Sequence, residues 1–160
     1  MKETTASESR KSVKITLDED HSRFGIYGYH PGDPDDLGEI IIIRPNDAFD
    51  AADDNFGNKT LKTETFNHSL IITPHALISD WTPRTIDELE AQHFEVLNPR
   101  PPQILLLGTG TAQHWPSPQT LASLTNQGIA VEVMDTAAAC RTFAILASDG
   151  RDVGAALLIA

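Results

Sequence analysis

Apolar and polar positions along the chain follow two patterns. In the first half, apolar residues alternate or come in short runs. Val13, Ile15 and Leu17 alternate with Lys14 and Thr16, the period-two pattern of a half-buried strand. Phe24–Tyr29 gives a second β segment, in which Gly25 and Gly28 suggest bulges or close packing. Pro31-Gly32-Asp33-Pro34 is a turn by composition. Ile40–Ile43 predicts a buried strand, Thr60–Phe66 alternates again, and Ser69–Thr73 is a further strand closed by Pro74.

In the second half, strand and helix patterns take turns. Thr82–Leu97 reads as helical, with Thr85-Ile86-Asp87-Glu88 as a capping box and Asn98-Pro99-Arg100-Pro101-Pro102 as its stop. A strand over 104–107 enters the glycine turn Gly108-Thr109-Gly110-Thr111. Ser117-Pro118 opens a helix over about 118–127, because proline at the first helical position loses no bond. A strand over 129–134, a helix over about 137–147, a turn at Asp149-Gly150 and a strand over 153–159 complete the chain. Such an alternation gives parallel neighbours joined by right-handed crossovers. The expected fold is therefore α/β: a three-layer single domain. Its central mixed sheet carries a C-terminal parallel βαβαβ unit, and an N-terminal antiparallel β layer is added to it. A flexible tail over residues 1–12 precedes a domain over 13–160, with an acidic loop insertion at about 44–58.

Composition narrows the function classes. The chain has 160 residues, of which 40% are apolar, enough for one buried core. Its net charge of −11 argues against nucleic acid and anionic lipid as partners. Between Asp18 and Asp54 stand eleven acids and two bases, Arg23 and Arg44. That stretch reads as a solvated loop region or, more sharply, as a patch for a basic partner. Cys140 is the single cysteine, so no intramolecular disulfide forms, which fits a reducing compartment. No apolar run approaches the roughly 18 residues of a spanning helix, and no signal or transit segment is visible. A soluble cytoplasmic protein is the expectation.

The candidate site follows from the topology. Ligands of open α/β sheets sit beyond the carboxyl ends of parallel strands. Gly108-Thr109-Gly110-Thr111 and Asp135-Thr136 are two such ends and would face one crevice if their strands are neighbours. There Thr109, Thr111 and Thr136 offer hydroxyls, the following helix offers free amides, and Arg141 offers a bidentate guanidinium. Against a dinucleotide loop stand the missing third glycine and the delaying Pro116 and Pro118; a phosphate-cradling Lys-Ser/Thr pair is also absent. Architecture alone explains the same residues: a tight turn, a helix cap, and Arg141 paired with an acid such as Asp135. Cys140 lies early in a helix beside Arg141, which lowers a thiol pKa, and His114 is a conceivable base. Three preceding alanines favour inert packing instead. The six histidines form no zinc pattern; His30 with Asp33, Asp35 and Asp36 is the best cluster. No catalytic set, metal site or cofactor is called for.

Several motifs in one order carry a family resemblance. They are Ser69–Pro74, Trp81, Leu105–Gly110, Gly128–Thr136, Ala139-Cys140-Arg141-Thr142 and Gly150-Arg151. Over about residues 13–160 the chain resembles a group of small α/β proteins of largely unknown function. That group includes the mitochondrial assembly factor for respiratory complex I (NADH:ubiquinone oxidoreductase) and an adipogenesis-associated protein. The resemblance implies a central mixed sheet with helices on one side and extra strands on the other. It implies no established catalytic activity, and by analogy an assembly or adaptor role. Phe143-Ala144 stands where the family resembles Tyr-Asn, and the acidic stretch from Asn46 to Asn58 looks like a loop insertion. The leading expectation is a non-enzymatic protein that binds another protein, a respiratory or membrane-complex component. The rival is a small-anion or small-molecule binder, or an enzyme, using the crevice of Gly108, Thr109, Gly110, Thr111, Asp135, Thr136 and Arg141. A third is thiol chemistry at Cys140. A filled cleft favours the first; an open polar cleft favours the second.

Overall fold

The computed structural model describes residues 13–14, 23–44 and 63–159. The expected tail and, Arg44 apart, the acidic loop lie outside these residues. An antiparallel sheet of four strands runs in the order β1 (Val13–Lys14), β2 (Gly25–His30), β3 (Glu39–Ile43), β4 (Thr63–Phe66). The glycines of β2 mark a bulge: Ile26 pairs with Ile42 but Gly28 pairs with Ile41. Tyr27 is the extra residue, so Ile26 and Tyr29 both reach the core while Tyr27 stays 41% exposed.

The second sheet has five strands. Along the chain these are β5 (Leu70–Thr73), β6 (Ala76–Ile78), β7 (Ile104–Thr109), β8 (Ala130–Met134) and β9 (Val153–Leu158). Their spatial order is β6-β5-β9-β7-β8. β7 is parallel to both β8 and β9, and β5 closes the other side of β9 antiparallel. This is the expected parallel unit within a mixed sheet. Helix α1 (Pro118–Asn126) joins β7 to β8, and α2 (Thr136–Ser148) joins β8 to β9. The first crossover steps outward from β7 and the second steps back past it. Two crossovers of one hand that step in opposite directions put their helices on opposite faces.

The core shows this division residue by residue. Leu106, Ala155 and Leu157 face Cys140 and Phe143 of α2 together with Ile26 and Ile40 of the first sheet. Leu105, Leu107, Ala156 and Leu158 face the other way, onto Phe94, Leu97 and Leu124. Every residue of β9 is buried, as a strand covered on both faces requires. Thus α2 shares its side with the four-stranded sheet, whereas the resemblance implied helices on the opposite side only.

The helix expected over 82–97 is not continuous. Two 3-10 helices, Ile86–Glu88 and Ala91–Leu97, are separated by extended backbone at Leu89 and Glu90. The burial pattern gives the reason. Leu89, Phe94 and Leu97 are all buried, yet residues five apart on an α-helix lie about 140° apart around its axis. Breaking the chain at Leu89 returns both Leu89 and Phe94 to the core. The expected cap changes accordingly. Thr85 occupies the cap position without a side-chain bond, while the Glu88 carboxylate accepts from the Arg84 amide at 2.8 Å. Glu90 N donates to His93 Nδ1 at 3.0 Å, and Trp81 Nε1 pins the segment by donating to His93 O at 2.8 Å.

Candidate functional site

The neighbouring strand ends do bring Gly108–Thr111 and Asp135–Thr136 together. Thr136 fills the space between them. It is fully buried, its Oγ1 donates to Leu158 O at 2.7 Å, and the same atom accepts from Gly110 N at 2.8 Å. Thr136 N donates back to Gly110 O at 2.9 Å. One threonine thereby ties the ends of β7, β9 and α2. Gly108 makes this approach possible, because a Cβ there would stand 3.0 Å from both Cα and Oγ1 of Thr136. Gly110 completes the turn with φ of 96°, a conformation that favours glycine.

The second hydroxyl is also committed to the protein. Thr109 is 6% exposed; its Oγ1 lies 2.6 Å from Ala112 O and accepts from His114 N at 3.0 Å. At the start of α2, Asp135 caps the helix by accepting from Ala138 N at 2.7 Å. Gln113 Nε2 reaches the edge strand and donates to Val133 O at 2.9 Å. Of the seven residues expected at the crevice, Gly108, Thr109, Gly110 and Thr136 are therefore internal to the joint. Thr111 and Arg141 are exposed, and Asp135 lies between. Among the described residues Arg141 forms no ion pair; the pair present there joins Arg44 to Glu64.

Cys140 is fully buried against the first sheet while His114 is exposed in the loop. Burial pushes the Cys140 thiol up to about 12; Arg141 opposes this and Asp135 adds to it. Sequence reasoning passed over its neighbour Tyr29. Its hydroxyl is buried without a hydrogen-bond partner among the described residues, and burial, then Cys140 and Asp135, push the phenol up to about 12. No one-dimensional signal pairs these residues, since they lie more than a hundred positions apart. Among the described residues no group of three or more His, Cys, Asp or Glu side chains is placed to hold a metal ion. No helix there is long and apolar enough to cross a membrane.

Fold and joint define a small α/β protein of two sheets, whose strand-to-helix junction is filled by its own hydrogen bonds. The chain belongs to the family described as "Protein of unknown function (DUF498/DUF598)", which matches residues 53–158. It is similar to the mouse NADH dehydrogenase [ubiquinone] 1 alpha subcomplex assembly factor 3, with 46% identity over 65 residues, 41% of this chain and 35% of that protein. The human protein of the same name is 36% identical over 90 residues, 54% of this chain and 48% of its own length. The chain thus spans about half or less of these two relatives. Among solved structures, a Xanthomonas campestris protein is 30% identical with a TM-score of 0.56, covering 69% of this chain and 89% of its own.

Proposed function

We propose that the chain is a non-enzymatic protein-binding factor acting in the assembly of a respiratory complex. The observation that supports this most is the filled joint. Where an α/β sheet ordinarily opens to a ligand, Thr136 and Thr109 spend their hydroxyls on Leu158, Gly110, Ala112 and His114. The names of the similar proteins, assembly factors for NADH dehydrogenase, supply the partner class. In this reading the chain acts from the cytoplasmic side of a membrane complex. Capture of the intact chain from native membranes, with quantitative mass spectrometry, tests this. Subunits or part-built intermediates of NADH:ubiquinone oxidoreductase are expected to be enriched. Recovery of no reproducible partner overturns it.

The exposed Arg141 and Thr111 support a second reading, a small anion held at the mouth of the joint. A site filled to 100 times its Kd adds about 2.7 kcal/mol of stability. Phosphates and carboxylates should then raise the melting temperature of the parent and not that of Arg141→Ala. No stabilisation of the parent removes this reading.

A further inference from the structure

The opposite end of the five-stranded sheet holds a cavity of about 730 Å³, within the range of small-molecule sites. It lies at the amino end of β9, between the β5–β6 turn, the proline segment after the second 3-10 helix, and the loop following α2. Three arginines line it: Arg23, Arg100 and Arg151. The whole chain has seven arginines and a net charge of −11, so three of the seven meet at one hollow of an acidic protein.

Each arginine is delivered by a distinct backbone device. Phe24 N donates to Pro74 O at 3.0 Å, which brings Arg23 to the β5–β6 turn. Gly150, with φ of 76°, turns the chain off α2, and Arg151 N donates to Leu146 O at 3.0 Å. Arg100 sits within Pro99–Pro102. None of the three side chains has an ion pair or hydrogen bond among the described residues, unlike Arg44 with Glu64. The single carboxylate of the lining, Asp152, accepts from Gln103 N at 3.3 Å.

The remaining wall is largely apolar. Val96, Leu97, Pro99 and Pro102 line it, and Val96 is 46% exposed, one of the few large apolar side chains left so. Pro102 packs over Gly154, where a Cβ would meet its ring at 3.0 Å. A bare anion makes no use of that wall, and a neutral apolar molecule makes no use of the guanidinium groups.

We propose that this cavity binds an amphiphilic small molecule: a carboxylate or phosphate head held by Arg100 and Arg151, with Arg23 at the rim, and an apolar body against Val96, Leu97 and Pro102. Guanidinium groups bind such heads through paired, charge-assisted hydrogen bonds. This inference is independent of the assembly role and of the joint at the other end of the sheet.

The test is titration of the full chain, below micelle-forming concentration, with decanoate, decyl phosphate, decanol and inorganic phosphate. Amide resonances provide the readout. Decanoate or decyl phosphate should saturably shift the amides of His75, Ala76, Arg151 and Asp152. Arg100→Gln and Arg151→Gln, both at exposed positions, should each weaken that binding about tenfold or more, equivalent to about 1.4 kcal/mol, with folding unchanged by circular dichroism. Decanol and inorganic phosphate should bind at least about tenfold more weakly than the charged amphiphiles. The proposal falls if neither charged amphiphile binds saturably, if decanol binds as tightly as decanoate, or if inorganic phosphate matches decyl phosphate. It also falls if the shifts map elsewhere on the chain.

Discussion

Replacing Thr136 with valine tests the filled joint at its centre. Valine keeps the shape and removes the hydroxyl. Two buried backbone groups then lose their partner: Leu158 O, now at 2.7 Å from Oγ1, and Gly110 N, at 2.8 Å. A buried polar group left unpaired costs about 1–3 kcal/mol, so the pair should cost about 3 kcal/mol after some relaxation. For a chain of this size that is a fall of about 6–12 °C in Tm. Thr136→Ser keeps the hydroxyl, loses one methyl group, and should cost about 1 kcal/mol. Thr111→Val, at an exposed position, should stay within about 0.5 kcal/mol of the parent. Urea denaturation at constant m-value measures all three. If Thr136→Val matches Thr111→Val, the joint is hydrated and open, and the reasoning fails.

Other substitutions and conditions probe neighbouring features. Gly108→Ala should destabilise by about 1–3 kcal/mol, because its Cβ would press on the Thr136 backbone at 3.0 Å; an unchanged urea midpoint would contradict this. Asp135→Ala removes the cap of α2 and should cost about 1 kcal/mol in the same assay. Cys140 and Tyr29 both have folded pKa values raised to about 12, from 9.0 and 10.0. Above pH 9 the unfolded chain therefore gives up protons that the folded chain retains. Stability from these groups is complete below that pH and is lost as pH rises toward about 12. Cys140→Ala should flatten the alkaline limb of a stability–pH curve; an identical limb in parent and variant would show that the thiol is not the cause.

The second half of the chain was legible because its local and tertiary signals agree. Ser117 before Pro118 does accept from Thr120 N, at 3.2 Å, and Asp135 does cap α2. The segment over 82–97 departs from its sequence pattern because its helical residue types conflict with where Leu89 and Phe94 must be buried, and burial prevails over propensity. The β6 strand leaves little sequence signal because Ala76–Ile78 is short and follows Pro74-His75, a turn that Thr73 Oγ1 stabilises by accepting from Ala76 N at 2.9 Å. Sequence spacing correctly joined Gly108–Thr111 to Asp135–Thr136. It could not tell whether their hydroxyls face outward, because that depends on Leu158, which arrives from a strand 22 residues later. The cavity of three arginines was invisible for the same reason: Arg23, Arg100 and Arg151 belong to three distant loops.

The most direct test of the proposed role is the amount of assembled NADH:ubiquinone oxidoreductase in host cells lacking this chain, read on native gels. A protein-binding assembly factor predicts that the assembled complex falls and part-built intermediates accumulate. It also predicts that a chain carrying Thr111→Val and Arg141→Ala restores assembly, since only the polar mouth of the joint is lost. Normal assembly in the deleted cells, or a folded double variant that fails to restore it, would contradict that role.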